Sequence, residues 1–271
     1  MLPSNYSRRN FLRATTSDKF LLTMTACVDT SKGGNLSLRS NPKVRLADYE
    51  GALRYWLHYP DKRVEKILFI ENSGYSLRSL ETIAANENPL KKTVEFISLD
   101  CNWYPPDGHY GYAEMRALDL GLQQSKLRNQ TTHMIKATGR FQFPTLSKLL
   151  DRLPTDFDVA ADARVRKILR SKNERPFITA QIILFSHLFY ERYLQRGYED
   201  LGKDGVIFIE WLFYNKLAPL KGTPGVLLRF PCNVDPVGFP AHRTRSYSHP
   251  AQKVVYGLRG VARRLFPTWW I

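Results

Sequence analysis

The sequence predicts an α/β fold, a mostly parallel sheet flanked by helices, and three observations carry that prediction. Short runs of apolar, aromatic and Thr residues alternate with segments whose apolar positions recur every three or four residues, from Phe20 to Leu217. Turn-forming Gly, Asn, Ser and Pro residues collect where the strand-like runs end. Across 271 residues, 43% apolar and 13% aromatic side chains are enough to fill a core.

Phe20 to Val28, FLLTMTACV, reads as the first core strand, and the Gly/Ser/Asn-rich stretch Asp29 to Pro42 as a loop. In Val44 to Tyr59, Leu46, Tyr49, Leu53 and Trp56 or Leu57 share one helical face, and Pro60 ends the helix. Val64 to Ile70 is the second strand, Glu71 to Gly74 (ENSG) the turn at its carboxyl end, Leu77 to Ala85 a short helix and Val94 to Leu99 the third strand. An aromatic, Gly/Pro-rich loop after Asp100 leads to a helix from Ala113 to Gln124, and the fourth strand starts at His133. Downstream the pattern predicts a helix around Leu146 to Leu153, a strand near Phe157 to Ala161 and a long apolar helix from Ile178 to Leu194. A buried strand over Val206 to Ile209 then gives way to the helix-like WLFYNKL. Loop-like chain continues to Val254, where a basic amphipathic segment begins. The chain therefore divides into an N-terminal extension (1–19), a main domain (20–220) and a C-terminal loop with a basic amphipathic tail (221–271).

Lys and Arg number 40 against 25 Asp and Glu, a formal charge of +15 that suits nucleic acid, acidic lipid headgroups or phosphorylated small molecules. Cys27, Cys101 and Cys232 are odd in number and far apart, so neither a disulfide framework nor a zinc site is expected, and the cysteines point to a reducing, cytoplasmic compartment. No run of 18 or more apolar residues occurs. Ser7 to Arg13, SRRNFLR, is built like a twin-arginine export signature. Against export, Asp18 and Lys19 interrupt the segment, and cleavage near Ala26 would destroy the first strand.

The densest chemistry lies in His133 to Gln142, HMIKATGRFQ, where a strand breaks at Lys136, Thr138, Gly139 and Arg140. A lysine, a hydroxyl, a glycine and an arginine on one turn suit a phosphate clamp, because Gly admits close backbone approach and Arg offers a planar fork. The same string also suits a plain turn with solvated cations. Ligands of open α/β sheets bind beyond the carboxyl ends of the strands, so Cys27 to Thr30, Glu71 to Gly74, Asp100 to Asn102 and Lys136 to Arg140 should converge on one crevice. There Glu71 and Asn72 can meet ribose hydroxyls or a base edge, with Ser73 beside them, unless ENSG is an ordinary capped turn.

No G-x-G-x-x-G, P-loop, G-x-S-x-G or H-E-x-x-H string is present. The order TACV, then RLADYEGAL with Arg45, Asp48 and Tyr49, then ENSGY, GYAE at Gly111 to Glu114, KATGRF and finally IEWL at Ile209 to Leu212 resembles bacterial surface-polysaccharide glycosyltransferases of GT-A-like type. That resemblance spans about Phe20 to Leu217. It implies a GT-A-like sheet, a nucleotide-sugar donor held by Arg45, the ENSG turn and the KATGR turn, and a glycan or lipid-linked acceptor, with Tyr112 and Glu114 as acceptor-side candidates. GT-A enzymes usually hold a divalent cation on a DxD motif after the fourth strand. Here Lys136 and Arg140 stand at that place, which implies metal-independent transfer with no cofactor. The DxD string that does occur, Asp156-Phe157-Asp158, precedes its strand; Asp156 reads as a turn residue, while Asp158 and Asp162, before and after the strand, stay open.

An inverting transfer needs a base, and Glu210, the first polar residue after Val206 to Ile209, is the leading candidate, with Asp162 in reserve. A helix-N-terminal Glu is also a common structural choice. His109 and His133, without metal spacing, read as structural. The tail mixes Val254, Val255, Leu258, Val261 and Leu265 with Arg259, Arg263 and Arg264 before Trp269 and Trp270, a pattern for a helix on the inner face of an anionic membrane or for one docked on the domain. Two other classes fit the same composition. One is a nucleotidyltransferase on a similar sheet, which would need clustered carboxylates for Mg²⁺; the other is a basic nucleic-acid- or membrane-binding protein without catalysis, though no nucleic-acid module is present.

Overall fold

The computed structural model describes residues 19–33, 38–106, 108–165, 175–241 and 246–266. The SRRNFLR segment and Trp269 and Trp270 lie outside the described residues.

The expected mostly parallel sheet forms around β1 (Phe20–Ala26), buried along its whole length. β2 (Lys66–Glu71) and β4 (His133–Thr138) pair with its two edges, and β3 (Thr93–Ser98) extends β2, all parallel. Beyond β4 comes β8 (Ile182–Ser186), antiparallel to it, then the two-residue strands β5 (Val159–Ala160) and β9 (Val226–Leu227). The seven strands run in the order β3-β2-β1-β4-β8-β5-β9. A separate short pair joins β6 (Ala163–Arg164) to β7 (Phe177–Ile178).

Strand alternation sorts the core into two layers. Leu22, Met24, Ile67 and Phe69 face one side and pack with Tyr49, Leu53 and Trp56 of α1 (Pro42–His58) and Leu80 and Ile83 of α2 (Arg78–Asn86). Leu21, Leu68 and Ile70 face the other, against Met115, Leu118 and Leu122 of α3 (Tyr110–Gln124) and Leu212 and Phe213 of α6 (Ile209–Leu217). Gly121 of α3 is needed for that packing, since a Cβ there would lie 2.4 Å from Ile70 Cδ1. At the start of α1 the Asn41 side chain accepts from the Lys43 amide and Pro42 fills the first helical position.

Three expectations are corrected. Ile178 to Leu194 is not one helix: it divides into β7, β8 and α5 (His187–Tyr193). The run Ile182 to Phe185 is fully buried between β4 and β5, and a short continuous apolar run carries no period that separates strand from helix. Val206 to Ile209 forms no strand, and Glu210 stands in the first turn of α6. α3 begins at Tyr110 rather than Ala113, so Gly111 and Tyr112 belong to the helix and not to the loop before it. α4 (Leu146–Leu150) and α7 (Pro250–Leu265) complete the helices, α7 starting ahead of Val254.

Candidate active site

Four loops at the carboxyl ends of the parallel strands meet in one cleft. Cys27 and Thr30 follow β1, Asn72 follows β2, Asn102 follows β3, and Thr138 and Arg140 come from the end of β4. Arg45, Tyr49, Tyr104, Tyr110, Glu114 and Ala241 complete much of the wall. The expected convergence is therefore present, but the residues do different work from one another.

Gly139 sets the clamp turn. Its amide donates to Thr25 O at 2.8 Å, and a Cβ would lie 2.8 Å from that same oxygen, so only glycine lets the turn press onto β1. The Phe141 amide closes the turn on Thr138 O at 2.9 Å, and Arg140 enters the cleft. Nε and Nη1 of Arg140 are shut off from solvent with no hydrogen-bond partner. Asn72 is in a similar position: it is 4% exposed and its Oδ1 has no donor.

Lys136 is not part of the cleft surface, a correction to its expected contact with a diphosphate. Its side chain is 1% exposed, and Nζ donates to Glu114 Oε1 and to Ala180 O, both at 2.6 Å. The Thr25 hydroxyl adds a second donor to Glu114 Oε1 at 2.8 Å. Burial pushes the Glu114 carboxyl up, but the Lys136 charge, the hydrogen bonds from Lys136 and Thr25, and the charge of Arg140 outweigh it and hold the group below the ordinary carboxylate range. Glu114 thus reaches the cleft as a fixed carboxylate.

Glu71 is also corrected. It is 0% exposed and staples two loops together, accepting from the amides of Val28, Ser73 and Tyr75 and from the Ser73 hydroxyl. No oxygen of it is offered to a ribose. Ser73 Oγ in turn accepts from the Asp29 amide at 3.0 Å, so this pair shapes the cleft from behind. Gly74, with φ of 71°, lets the turn close. Arg45 lines the cleft and braces its floor, donating from Nε to Cys27 O at 2.6 Å and from Nη2 to the Tyr49 phenol at 3.2 Å. Burial pushes the Cys27 thiol up to about 12, against the pull of Arg45, so it is no nucleophile at neutral pH.

Asp162 lies elsewhere. It is 0% exposed and held by Arg164 Nε at 2.5 Å, by Arg263 at 2.9 and 2.7 Å, and by the Phe230 amide at 3.2 Å. Burial alone would raise its pKa, but the two guanidinium groups hold it below the usual range, and every lone pair a base would use is taken. Its reserve role as base is withdrawn on that ground. Tyr112 packs edge-on against Trp103 and Tyr198 outside the cleft lining. Tyr110, one helical turn before Glu114, lines the cleft in its place. Its phenol is pushed up by burial and then by the charges of Glu210 and Glu114. Glu210 is not part of the cleft lining; the start of α6 packs on the start of α3, with Phe208 against His109 and Ile209 against Gly111. The Y-x-x-x-E spacing in YGYAE was the available signal for Tyr110, since residues four apart share a helix face.

His133 bonds to Phe157 O at 2.8 Å and to the Thr132 hydroxyl at 2.9 Å, a structural role. Asp158 accepts from the Ser186 hydroxyl at 3.3 Å and is not in the cleft wall. Among the described residues no group of three or more His, Cys, Asp or Glu side chains is arranged to hold a metal ion, and no helix is long and apolar enough to cross a membrane.

No protein-family model matches this chain, and no curated protein matches it either. Among solved structures it is similar to a cytidylyltransferase from Leptospira borgpetersenii, at 12% identity over 65% of this chain and 63% of that one, TM-score 0.35. It is similar to the bifunctional glycosyltransferase WbbM, at 15% identity over 73% and 36%, TM-score 0.38. It is also similar to the mannosyltransferase Ktr4p from S. cerevisiae, at 9% identity over 72% and 62%, TM-score 0.42. The chain spans less than two thirds of the length of each. At such scores the likeness extends no further than the α/β architecture.

Proposed function

We propose that the protein is a glycosyltransferase that moves a sugar from a nucleotide-sugar donor to a growing surface glycan or lipid-linked saccharide, with inversion and without a divalent metal. The observation that supports this most is Arg140, whose Nε and Nη1 are buried in the cleft without acceptors. A buried donor without a partner costs about 1–3 kcal/mol, more when charged, and the phosphoryl oxygens of a nucleoside diphosphate supply what it lacks. Asn72 Oδ1, equally unclaimed, suits a hydroxyl or N–H of the nucleoside, and the Thr138 hydroxyl stands beside Arg140. As the sugar departs, charge grows on the diphosphate, and Arg140 is already in place to stabilise it. Lys136 contributes to the field from behind Glu114 rather than by contact.

Glu210 is the proposed base. Glu210 stands half-buried in the first turn of α6, where Phe208 and Ile209 pack on His109 and Gly111 on either side of Tyr110. Deprotonating an acceptor hydroxyl there lets its oxygen attack the anomeric carbon as the bond to the diphosphate breaks.

A panel of nucleoside diphosphates and nucleotide sugars, each with and without EDTA, tests the reading by thermal shift and product analysis. Stabilisation by a donor and release of nucleoside diphosphate, both insensitive to EDTA, are expected. Release of pyrophosphate would assign nucleotidyl transfer instead, and strict dependence on Mg²⁺ or Mn²⁺ would remove the metal-free mechanism. Glu210→Gln should leave the donor-induced shift intact while transfer falls by roughly a hundred- to ten-thousandfold. A near-normal rate, or a product with the donor's anomeric configuration retained, would end the assignment of the base.

A further inference from the structure

α7 carries its two faces the opposite way round from a surface helix of a globular domain. Its polar side meets the body. Arg263, 8% exposed, donates to both oxygens of Asp162 at 2.9 and 2.7 Å and to Phe230 O at 3.0 Å. Asn233 Nδ2 donates to Tyr256 O at 3.1 Å, and Gly260 allows this close seating, since a Cβ there would lie 2.8 Å from the same Nδ2. The apolar side faces solvent: Val254, Leu258, Val261 and Leu265, at i, i+4, i+7 and i+11, form one stripe and are 62, 63, 54 and 68% exposed. Rotating the helix to bury that stripe would pull Arg263 off a fully buried carboxylate, so the orientation is set by the ion pair.

We propose that this stripe rests in the headgroup layer of an anionic membrane, with α7 lying in the membrane plane. Charge selects the occupant. No Asp or Glu occurs from Pro236 to Ile271, and with Arg259 and Arg263 turned to the body, Lys253 and Arg264 are the exposed cations of α7. Lys253 and Arg264, both exposed and about three turns apart on one flank of the stripe, are placed to meet anionic headgroups. A second copy of this chain would instead bring the same cations against each other. The inference stands apart from the transfer reaction, because it is read by vesicle binding alone.

The test uses the full chain in flotation with phosphatidylcholine vesicles, with and without phosphatidylglycerol, alongside sedimentation velocity without lipid. Binding should need phosphatidylglycerol and weaken as salt is raised. The double variant Leu258→Glu/Val261→Glu should lower the bound fraction by about tenfold or more without moving Tm, since both side chains are exposed. The proposal is overturned if the wild-type chain stays unbound, if it binds neutral vesicles equally well, or if the double variant binds like wild type. It is also overturned if the wild-type chain dimerises in solution and the variant does not, which would give the stripe to a second copy.

Discussion

Arg140 and Arg263 both hold guanidinium nitrogens out of water near a carboxylate, Glu114 or Asp162, and they differ in what is left over. Around Asp162, the carboxylate takes Arg164, both terminal nitrogens of Arg263 and a backbone amide, and Arg263 also reaches Phe230 O. In the cleft, Lys136 and Glu114 satisfy each other, but Arg140 keeps two nitrogens and Asn72 one oxygen without partners. The first cluster is filled and holds chain segments together; the second leaves polar groups of the cleft unsatisfied. Arg259 beside the Asp162 cluster has one unclaimed nitrogen, Nε, and burial, followed by the charge of Arg164, lowers its pKa. It lies on the inward side of α7 next to an already complete ion pair, so the contrast between the two clusters is one of degree at that edge.

The largest expected effect is on the filled cluster. Asp162→Asn leaves Arg164 and Arg263 buried without a counter-charge, and stability should fall by about 3–5 kcal/mol, measured by urea unfolding. The fraction still folded should keep its donor-induced thermal shift. Unchanged stability with transfer abolished would move Asp162 into the reaction and dissolve the contrast.

Arg140→Ala should do the reverse. Transfer is expected to drop about a hundredfold, equivalent to roughly 2.7 kcal/mol of barrier, while Tm stays level because Nε and Nη1 give up no protein hydrogen bond. A falling Tm with normal turnover would show that Arg140 is a structural cation.

The smallest effect is in pH. Glu114 and Asp162 both have depressed pKa values, so the stability they contribute is present above the ordinary carboxylate range and is lost only in stronger acid, as pH falls through their folded-state values. Between pH 7 and 6 neither cluster should respond. His109, His133 and His187 should. Burial, the leading cause for all three, lowers them to about 4, so on acidification the unfolded chain takes up protons from about pH 6.5 while the folded chain does not. Stability should decline by about 2 kcal/mol from pH 7 to 6 and continue down towards pH 4. Loss of donor binding in step with that decline would implicate the cleft carboxylate instead.

Much of the frame was readable in one dimension. The positions of β1, β2, β4 and α1 follow, to within two residues at each end, from runs, periods and Pro60, although Pro42, assigned to the loop, opens α1; the meeting of four loops at one edge follows from parallel strand order. Ile182 to Ser186 was not readable as a strand, because a short buried run looks alike in either conformation. Within the cleft, the sequence marked Arg140, Thr138, Asn72, Arg45 and Glu114, all of which line it. It could not separate Arg140 from Lys136, four residues earlier in the same motif, nor tell that Glu71 was already committed to its own turn.

What the sequence determined by itself is roughly where the first four strands and α1 lie and which residue types stand at their ends, because backbone geometry and side-chain period act over a few neighbouring residues. What only the tertiary structure decided is which charges are already paired. Glu114 and Lys136 are 22 positions apart, and Asp162 and Arg263 are 101. A charged side chain's role depends on whether burial leaves it with a partner, and that is fixed by contacts between segments that the chain order does not place side by side.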